Sequence, residues 1–444
     1  MGEEQIEQGM SRRTLLKGIV GGAAVLAGGG ILAACGTSAL KGSGTSANTK
    51  DILIGYVSPQ TGSLAGFATP DNYILSLIRA SAPFKKGITK GGHTYHFQII
   101  EADSQSDPNR ASQVTKNLIL QNHVDMIVTS SAPETANPVA DVCEAQGVPC
   151  VATVVPWESW YFGRGAKPGS TFTYTTMFFF GTKEFAGTFI PMWNRIQSKT
   201  NANKVVGAMW PNDADGTAFR QGWPPYIKAA GYGLVDGGAY QDGQTDYTSM
   251  ISQFKAGNAD FFTNAPIPPD FNTFWKQANQ QGYKPKLATV AKVLLFPADT
   301  VALGSLVNNI ATDAWWTPYS PYRSSLDGMT AKALGNGYQT SSGNQWTQAL
   351  GSTYALFEVA YQAFAHASDP HDAKEVASQL REMNIQSMCG PMNFTTGPVP
   401  GVAIIEPVGV QWKPGTDYPW TQYVVDNTLN PEVPINGTLE PTYA

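Results

Sequence analysis

The chain has 444 residues, enough for two domains of ordinary size, and 42% of them are hydrophobic while only 14% are charged. This composition excludes an intrinsically disordered chain. The formal net charge of -5 at pH 7 argues against a nucleic-acid partner, which would favour a basic surface. Beyond residue 35, no segment reaches the roughly 18 unbroken apolar residues of a membrane span.

The N-terminus has the pattern of an export signal. Two adjacent arginines occur in "SRRTLLK" (11–17), which resembles a bacterial twin-arginine signal, and a short glycine-rich apolar run follows. The run ends in "LAAC" (32–35), which resembles a lipobox, where the peptide is cut before the cysteine and the thiol carries a lipid. We therefore predict a signal peptide over 1–34, lipidation of Cys35 with anchoring to the cell membrane, and a flexible tether over 35–50.

The next part of the chain alternates between apolar strands and amphipathic helices. Strands are predicted at 51–59, 93–103, 124–130 and 148–155, with helices at 66–82, 106–122 and 132–146 between them. Asp107 precedes Pro108 and is the expected N-cap of its helix. Strictly alternating strands and helices predict a parallel sheet with helices on both faces.

The same rhythm restarts near residue 203. Strands are predicted at 203–213, 233–240, 259–265 and 286–293, with helices at 216–231, 246–257 and 270–282. Two further helices, 344–367 and 372–384, precede a region of short strands and turns. The expected fold class is α/β, with two doubly wound parallel-sheet lobes joined by a hinge in a clamshell arrangement.

Five stretches of the chain occur in an order that is informative only when they are taken together. They are "IGYVSPQTGSLAGFA", "DSQSDPNRASQVTKNLI", "VDMIVTSSAPETANPVADVCEAQGVPCVA", "DADGTAFRQGW" and "DYTSMISQFKAGNADFFTNA". This series resembles the type I periplasmic solute-binding proteins of ABC importers, in the branched-chain amino acid and amide binding family. The resemblance covers about residues 51–425, and the predicted lipoprotein signal agrees with it.

The resemblance also implies a domain organisation and partners. Three chain crossings between the lobes are expected near 172–178, 311–317 and 387–394. The first lobe would comprise 51–174 with 315–388, the second 175–314 with 389–430, and a C-terminal tail 431–444. The implied partners are a small-molecule solute and an ABC permease in the membrane, with no cofactor, no metal and no nucleic acid.

Ligands of open α/β sheets bind beyond the carboxyl ends of the strands, so the loops after the predicted strands supply the candidate contacts. The loop that begins at Ser130 precedes a helix, and exposed N–H groups with hydroxyls suit a carboxylate or an amide. An ordinary N-cap is the alternative, and the family resemblance favours the binding role. The candidate ligand-binding residues are Ser130, Ser131, Ala132, Thr135, Val155, Trp157, Asp213, Ala265, Lys292, Trp315 and Trp316.

The candidate residues bear on the class of ligand. Amino-acid binders of the family have an acidic residue in the second lobe that meets the ammonium group of the ligand, and here Lys292 stands near that position. A lysine together with the indoles of Trp157 and Trp315 suits an aromatic carboxylate. Asp213 and Asp215 favour hydroxyls or a cation instead, or only shape the turn before the next helix. The expected ligand is amino acid-like or an aromatic carboxylate.

Other classes of function are weighed against this one. The sequence has no G-x-S-x-G, no G-x-x-x-x-G-K-[ST], no H-E-x-x-H and no C-x-x-C motif, so a secreted hydrolase is disfavoured and we expect no enzyme. A sensor lipoprotein that presents its ligand to a membrane kinase would use the same fold and stays open.

Three cysteines follow Cys35, namely Cys143, Cys150 and Cys389. A disulfide is permitted outside the cytoplasm. Cys143 and Cys150 would pair if the end of a helix folds back on the next strand, but spacing in the sequence leaves this question open.

Overall fold

The computed structural model describes residues 51–443; the predicted signal peptide, the tether and Cys35 lie outside the described residues. The described residues fall within one compact unit, Asn48–Ala444. Within 51–443, no helix combines the length and the apolar character that a membrane crossing requires.

The strands and helices alternate along most of the described chain. The strands are β1 (Ile52–Ser58), β2 (Ile88–Lys90), β3 (His93–Tyr95), β4 (Phe97–Asp103), β5 (Met126–Ser130), β6 (Cys150–Thr153), β7 (Thr175–Phe178), β8 (Val205–Met209), β9 (Gly233–Asp236), β10 (Phe261–Asn264), β11 (Leu287–Val290), β12 (Ala311–Ala314), β13 (Asn384–Ser387), β14 (Gly390–Asn393), β15 (Val402–Ala403), β16 (Val408–Pro414) and β17 (Trp420–Asp426). The α-helices are α1 (Asp71–Ala80), α2 (Ala82–Lys86), α3 (Pro108–Leu120), α4 (Pro133–Gln146), α5 (Trp157–Tyr161), α6 (Thr182–Thr200), α7 (Ala214–Ala229), α8 (Thr248–Ala256), α9 (Pro268–Gln280), α10 (Pro297–Val301), α11 (Ala331–Ser342), α12 (Ala349–His366) and α13 (Ala373–Glu382).

The first sheet has six strands in the order β15-β7-β6-β5-β1-β4, and its neighbours are parallel. Its central strands are almost wholly buried because helices cover both faces, which explains their apolar composition. In β1, Ser58 pairs with Asp103 and Val57 pairs with Thr129. The carboxyl ends of three strands therefore meet at one edge of this sheet, which together with its helices we call the first lobe.

The second sheet has seven strands in the order β17-β16-β12-β11-β10-β8-β9. The five strands from β12 to β9 are parallel, and β16 and β17 continue the sheet in antiparallel fashion. Helix α6 packs against β11, β12, β16 and β17. This sheet and its helices form the second lobe. The two-lobed α/β fold expected from the sequence is confirmed.

Two strands lie in a different lobe from the one expected. Thr175–Phe178 pairs with β6, and Val402–Ala403 pairs with β7, so both belong to the first sheet and not to the second. The chain therefore leaves the first lobe after Phe178, returns after Ala314 and leaves again after Ala403. The first crossing falls at the end of the expected range 172–178, whereas the third comes later than expected, because apolar runs identify strands but not their neighbours. The tail packs on the second lobe, where Ala288 N donates to Thr442 Oγ1 at 2.9 Å.

Local signals account for several element ends. Asp107 caps α3 as expected, since its carboxylate accepts a hydrogen bond from Arg110 N at 2.7 Å. The strand expected at 286–293 is shorter, because β11 ends at Val290. Lys292 and Leu294 have φ angles of 67° and 54°, a left-handed backbone that no strand continues through.

The three cysteines of the described chain are buried free thiols. The thiols of Cys143 and Cys150 contact each other between α4 and β6, and burial raises the pKa of Cys143 well above its usual value. The disulfide left open by the sequence is thus absent between these two residues.

Candidate functional site

A narrow cavity lies between the two lobes. Ala132 and Val154 line it just beyond β5 and β6, and Ala265 and Ala291 line it just beyond β10 and β11. These are carboxyl ends of parallel strands, the edge at which open α/β sheets bind ligands. The walls are so close that the cavity holds only about two water molecules. The lobes are therefore closed on each other.

Aromatic rings form much of the cavity wall. Phe67, Phe179 and Trp315 line it from the first lobe, and Phe185 and Phe219 line it from the second. The rings of Phe179 and Trp315 meet edge to face with centroids 5.3 Å apart, and those of Phe185 and Phe219 are 5.0 Å apart. The rings thus support one another and give the cavity an apolar body.

Helix α12 holds Trp315 in place. Gln348 Oε1 accepts from Trp315 N at 3.1 Å, and Ser352 Oγ accepts from Trp315 Nε1 at 3.2 Å. Phe67, which lines the cavity, meets Phe296 edge to face across the cleft, with ring centroids 4.8 Å apart. The orientation of Trp315 is thus set by the hydrogen bonds that it donates to the start of a buried helix.

Lys292 binds carboxylates of both lobes. Its Nζ lies 2.5 Å from Glu134 Oε1 in the first lobe, and 2.8 Å and 3.4 Å from Oδ2 of Asp215 and Asp213 in the second. Glu134, Asp213 and Asp242 each offer an oxygen atom, and these atoms lie within 4.8 Å of one another. The ammonium group of Lys292 therefore bridges the cleft, and several carboxylates surround this one cation.

The loop after β11 positions this ammonium group. The left-handed backbone at Lys292 and Leu294 costs free energy in residues other than glycine, and surrounding contacts hold it. Ala291 N donates to Asn264 Oδ1 at 2.9 Å, and Trp412 Nε1 donates to Leu294 O at 2.8 Å. Strained backbone of this kind is concentrated at functional sites.

Burial shifts the pKa values of the charged groups. Burial alone would lower the pKa of Lys292, but the carboxylates of Asp215, Glu134 and Asp213 raise it well above its usual value. Burial raises the pKa of Asp215 to about 7, although Lys292 acts to lower it. Burial likewise raises the pKa of Asp313, on β12, to about 7. Lys292 is thus fully charged, and the two buried aspartates titrate near neutrality.

The structure brings some of the candidate ligand contacts together. Ala132, Ala265, Lys292 and Trp315 line the cavity. Asp213 lies beside it, where its carboxylate binds Lys292 and caps α7 through Gly216 N at 2.6 Å.

Other candidate contacts lie behind the cavity wall or away from it. Ser130 is buried, and Ser131 Oγ accepts a hydrogen bond from Thr135 Oγ1 at 2.6 Å. Val155 is buried in the core. Trp157 is half-buried on α5, against Gly181. Trp316 is buried against α12, where a Cβ on Gly351 would come within 2.2 Å of the indole.

Several lining residues escaped the sequence analysis. Phe179 belongs to an apolar run whose pattern indicates only a buried strand. Phe185 and Phe219 lie on helices, where an apolar residue indicates only core packing. Asp313 offered a signal, because a carboxylate inside the buried strand "IATDA" is unusual in a sequence. Leu295 lies in the loop after β11, and the sequence analysis placed the end of that strand at residue 293 instead of Val290.

Comparison with known proteins gives a consistent result. The family model described as "Periplasmic binding protein" matches residues 51–400. The Leu/Ile/Val-binding protein homolog 8 of Brucella suis biovar 1 is 23% identical over 362 residues, which cover 78% of this chain and 84% of that protein.

Solved structures share the fold. The leucine-binding protein LivK of Thermotoga maritima superposes with a TM-score of 0.69 at 17% identity, over 84% of this chain and 98% of that one. A solute-binding protein of an ABC transporter from R. palustris, in complex with 4-hydroxybenzoate, gives a TM-score of 0.64 at 15% identity, over 89% and 99% of the two chains.

Proposed function

Because the chain belongs to the periplasmic binding protein family, a family of solute-binding proteins and not of enzymes, we propose that it serves an ABC importer outside the cytoplasm. In this proposal the two lobes capture a small organic solute and deliver it to a membrane permease. The observation that carries the proposal is the cavity at the carboxyl ends of both parallel sheets, to which each lobe contributes walls.

Closure of the lobes couples binding to delivery. A solute that contacts both walls stabilises the closed form by the difference between its affinities for the closed and open forms. The ion pair of Lys292 with Glu134 already links the lobes in the closed form. The closed form would then be the one that docks on the permease.

The apolar walls support a solute with an aromatic or branched aliphatic body. An amino acid-like solute is supported by the similarity to leucine-binding proteins, and an aromatic carboxylate by the R. palustris protein in complex with 4-hydroxybenzoate. The rings of Phe179, Phe219 and Trp315 would pack against either body.

A thermal-shift screen tests the proposal. We expect at least one compound in a panel of aromatic carboxylates, aliphatic amino acids, amines, amides and sugars to raise the melting temperature of the purified chain. A ligand at 100 times its dissociation constant adds about 2.7 kcal/mol to the stability of the folded state. Reversible binding without turnover of the compound is the expected behaviour. Chemical conversion of a panel compound, or no shift across the whole panel, would count against the proposal.

The membrane anchor is a second part of the proposal. We expect Cys35→Ala to move the protein from the membrane fraction to the soluble fraction, because the variant has no thiol to carry acyl chains that contribute about 0.8 kcal/mol per buried CH₂. Ser38→Ala, three residues further on, serves as the matched control and should stay with the membrane. The measurement is an immunoblot of the two fractions. Retention of the Cys35 variant at the membrane would refute the anchor.

A further inference from the structure

Acidic side chains outnumber basic ones around the cavity. Glu134, Asp213, Asp215 and Asp313 lie in or beside it, and Lys292 is the cation that contacts the first three of them. An anionic ligand would add a like charge to this group, whereas a cationic ligand would reduce the repulsion.

Two of these carboxylates are buried and incompletely paired. Asp313 is 1% exposed, lines the cavity and takes part in no ion pair within residues 51–443. Its side chain receives a hydrogen bond from Thr312 Oγ1 at a long 3.5 Å. Asp215 is 2% exposed and also lines the cavity, and its Oδ1 has no hydrogen-bond partner in the described structure. A buried carboxylate oxygen without a partner, such as Asp215 Oδ1, costs free energy that a ligand donor would recover.

Lys292 is poorly placed to receive a carboxylate from a ligand. Its ammonium group has three donors, and Glu134, Asp215 and Asp213 already face them. The N-terminus of α4 is no better, because the Glu134 carboxylate lies in its first turn and the Ser131 hydroxyl is bound by Thr135.

The aromatic walls of the cavity also suit a cation. The faces of aromatic rings attract cations within about 6 Å, and the attraction increases when the cation is removed from water. Phe179 and Trp315 on one side, and Phe185 and Phe219 on the other, enclose the same space as the two buried carboxylates. The rings and the incompletely paired carboxylates together form a cage suited to an organic cation.

We propose that the cleft selects an organic ammonium ion with an aromatic or aliphatic body and rejects the carboxylate of the same shape. The ammonium group of the bound solute would lie against Asp313 and Asp215, and its body would pack between the rings after the lobes move apart enough to admit it. This inference rests on the proposed function, since it narrows the solute that the two lobes capture. Of the alternatives that the sequence left open, it favours a cation for Asp215, whereas Asp213 caps α7 through Gly216 N.

A pair of probes with the same body and opposite charge tests the inference. Titration calorimetry of the full chain should show binding of 2-phenylethylammonium and none of 3-phenylpropanoate. Asp313→Asn preserves the shape of the side chain and should weaken binding of the amine by about tenfold or more, because a charge-assisted hydrogen bond is lost. Asp71→Asn is the matched control, since Asp71 is also buried, has a pKa raised by burial to about 7, and lies in the first-lobe core beside Tyr56.

The outcomes separate this inference from the proposed function. Binding of 4-hydroxybenzoate, isoleucine or 3-phenylpropanoate without binding of the amine would overturn the charge selectivity and leave the importer role supported. Equal weakening by Asp313→Asn and Asp71→Asn, or no weakening by either, would overturn the role of Asp313. A chain that binds none of these compounds would overturn the selectivity and count against the importer role as well.

Discussion

Replacing Lys292 with methionine is expected to cost the folded protein about 3–5 kcal/mol at pH 8, because it leaves buried carboxylates without their cation. The Lys292 side chain is 7% exposed and that of Asp215 is 3% exposed, so water replaces little of the lost interaction. The ion pair to Glu134 is lost as well, and we expect the lobes to separate. Chemical denaturation reports the stability, and small-angle X-ray scattering reports the larger radius of gyration of an open form.

The defect should depend on pH. An acid whose pKa is raised on folding contributes stability at low pH that is lost as the pH rises towards the raised value. The pKa of Asp215 is already raised to about 7, and removal of Lys292 removes the charge that lowers it. The loss should therefore be smaller at pH 5 than at pH 8.

Lys199→Met is the matched control for this experiment. It removes a surface lysine that pairs with Glu440, where both side chains are more than a third exposed, and it should cost less than about 1 kcal/mol. Equal stability of the Lys292 and Lys199 variants at pH 8 would show that the bridge contributes nothing to the closed form.

Trp316→Ala is expected to lower stability by about 3–5 kcal/mol, the usual cost of truncating a large aromatic side chain in a core. The indole is 1% exposed, and its ring meets Trp346 edge to face at a centroid distance of 6.2 Å. Helix α12 approaches it closely at Gly351, so a cavity there would be lined by a helix that cannot easily move. The measurement is the midpoint of urea unfolding.

Trp316→Ala also tests whether the Trp316 indole stabilises the core or contacts the ligand. Trp157→Ala is the comparison, because that indole is only half-buried and its loss should cost less. A Trp316→Ala protein of normal stability with weakened ligand binding would restore the contact that the sequence suggested for this residue.

Sequence reasoning reached the fold because the fold depends on local patterns. Alternating apolar strands and amphipathic helices predicted both parallel sheets, and the motif around Asp107 predicted a helix start. The sheet to which Thr175–Phe178 belongs is a non-local property, since it is decided by pairing with β6. The first-lobe boundary at residue 174 and the third lobe crossing were misplaced for that reason.

The site was harder to predict than the fold. Trp315 and Trp316 are neighbours just beyond a strand, where successive side chains point to opposite sides. One lines the cavity and the other is buried against α12, and the sequence does not reveal which is which. Lys292 was assigned to a strand, and its bridging position follows from a left-handed backbone that a lysine does not signal.

The contact between Phe67 and Phe296 joins the two lobes beside the cavity. In the proposed importer, a captured solute would leave when the lobes separate, and its residence time would follow the rate of opening. Two solutes of different affinity could then dissociate at similar rates, if opening limits both. In the proposed importer, the permease would act as a catalyst of release, because parting the lobes is the slow step that it would accelerate.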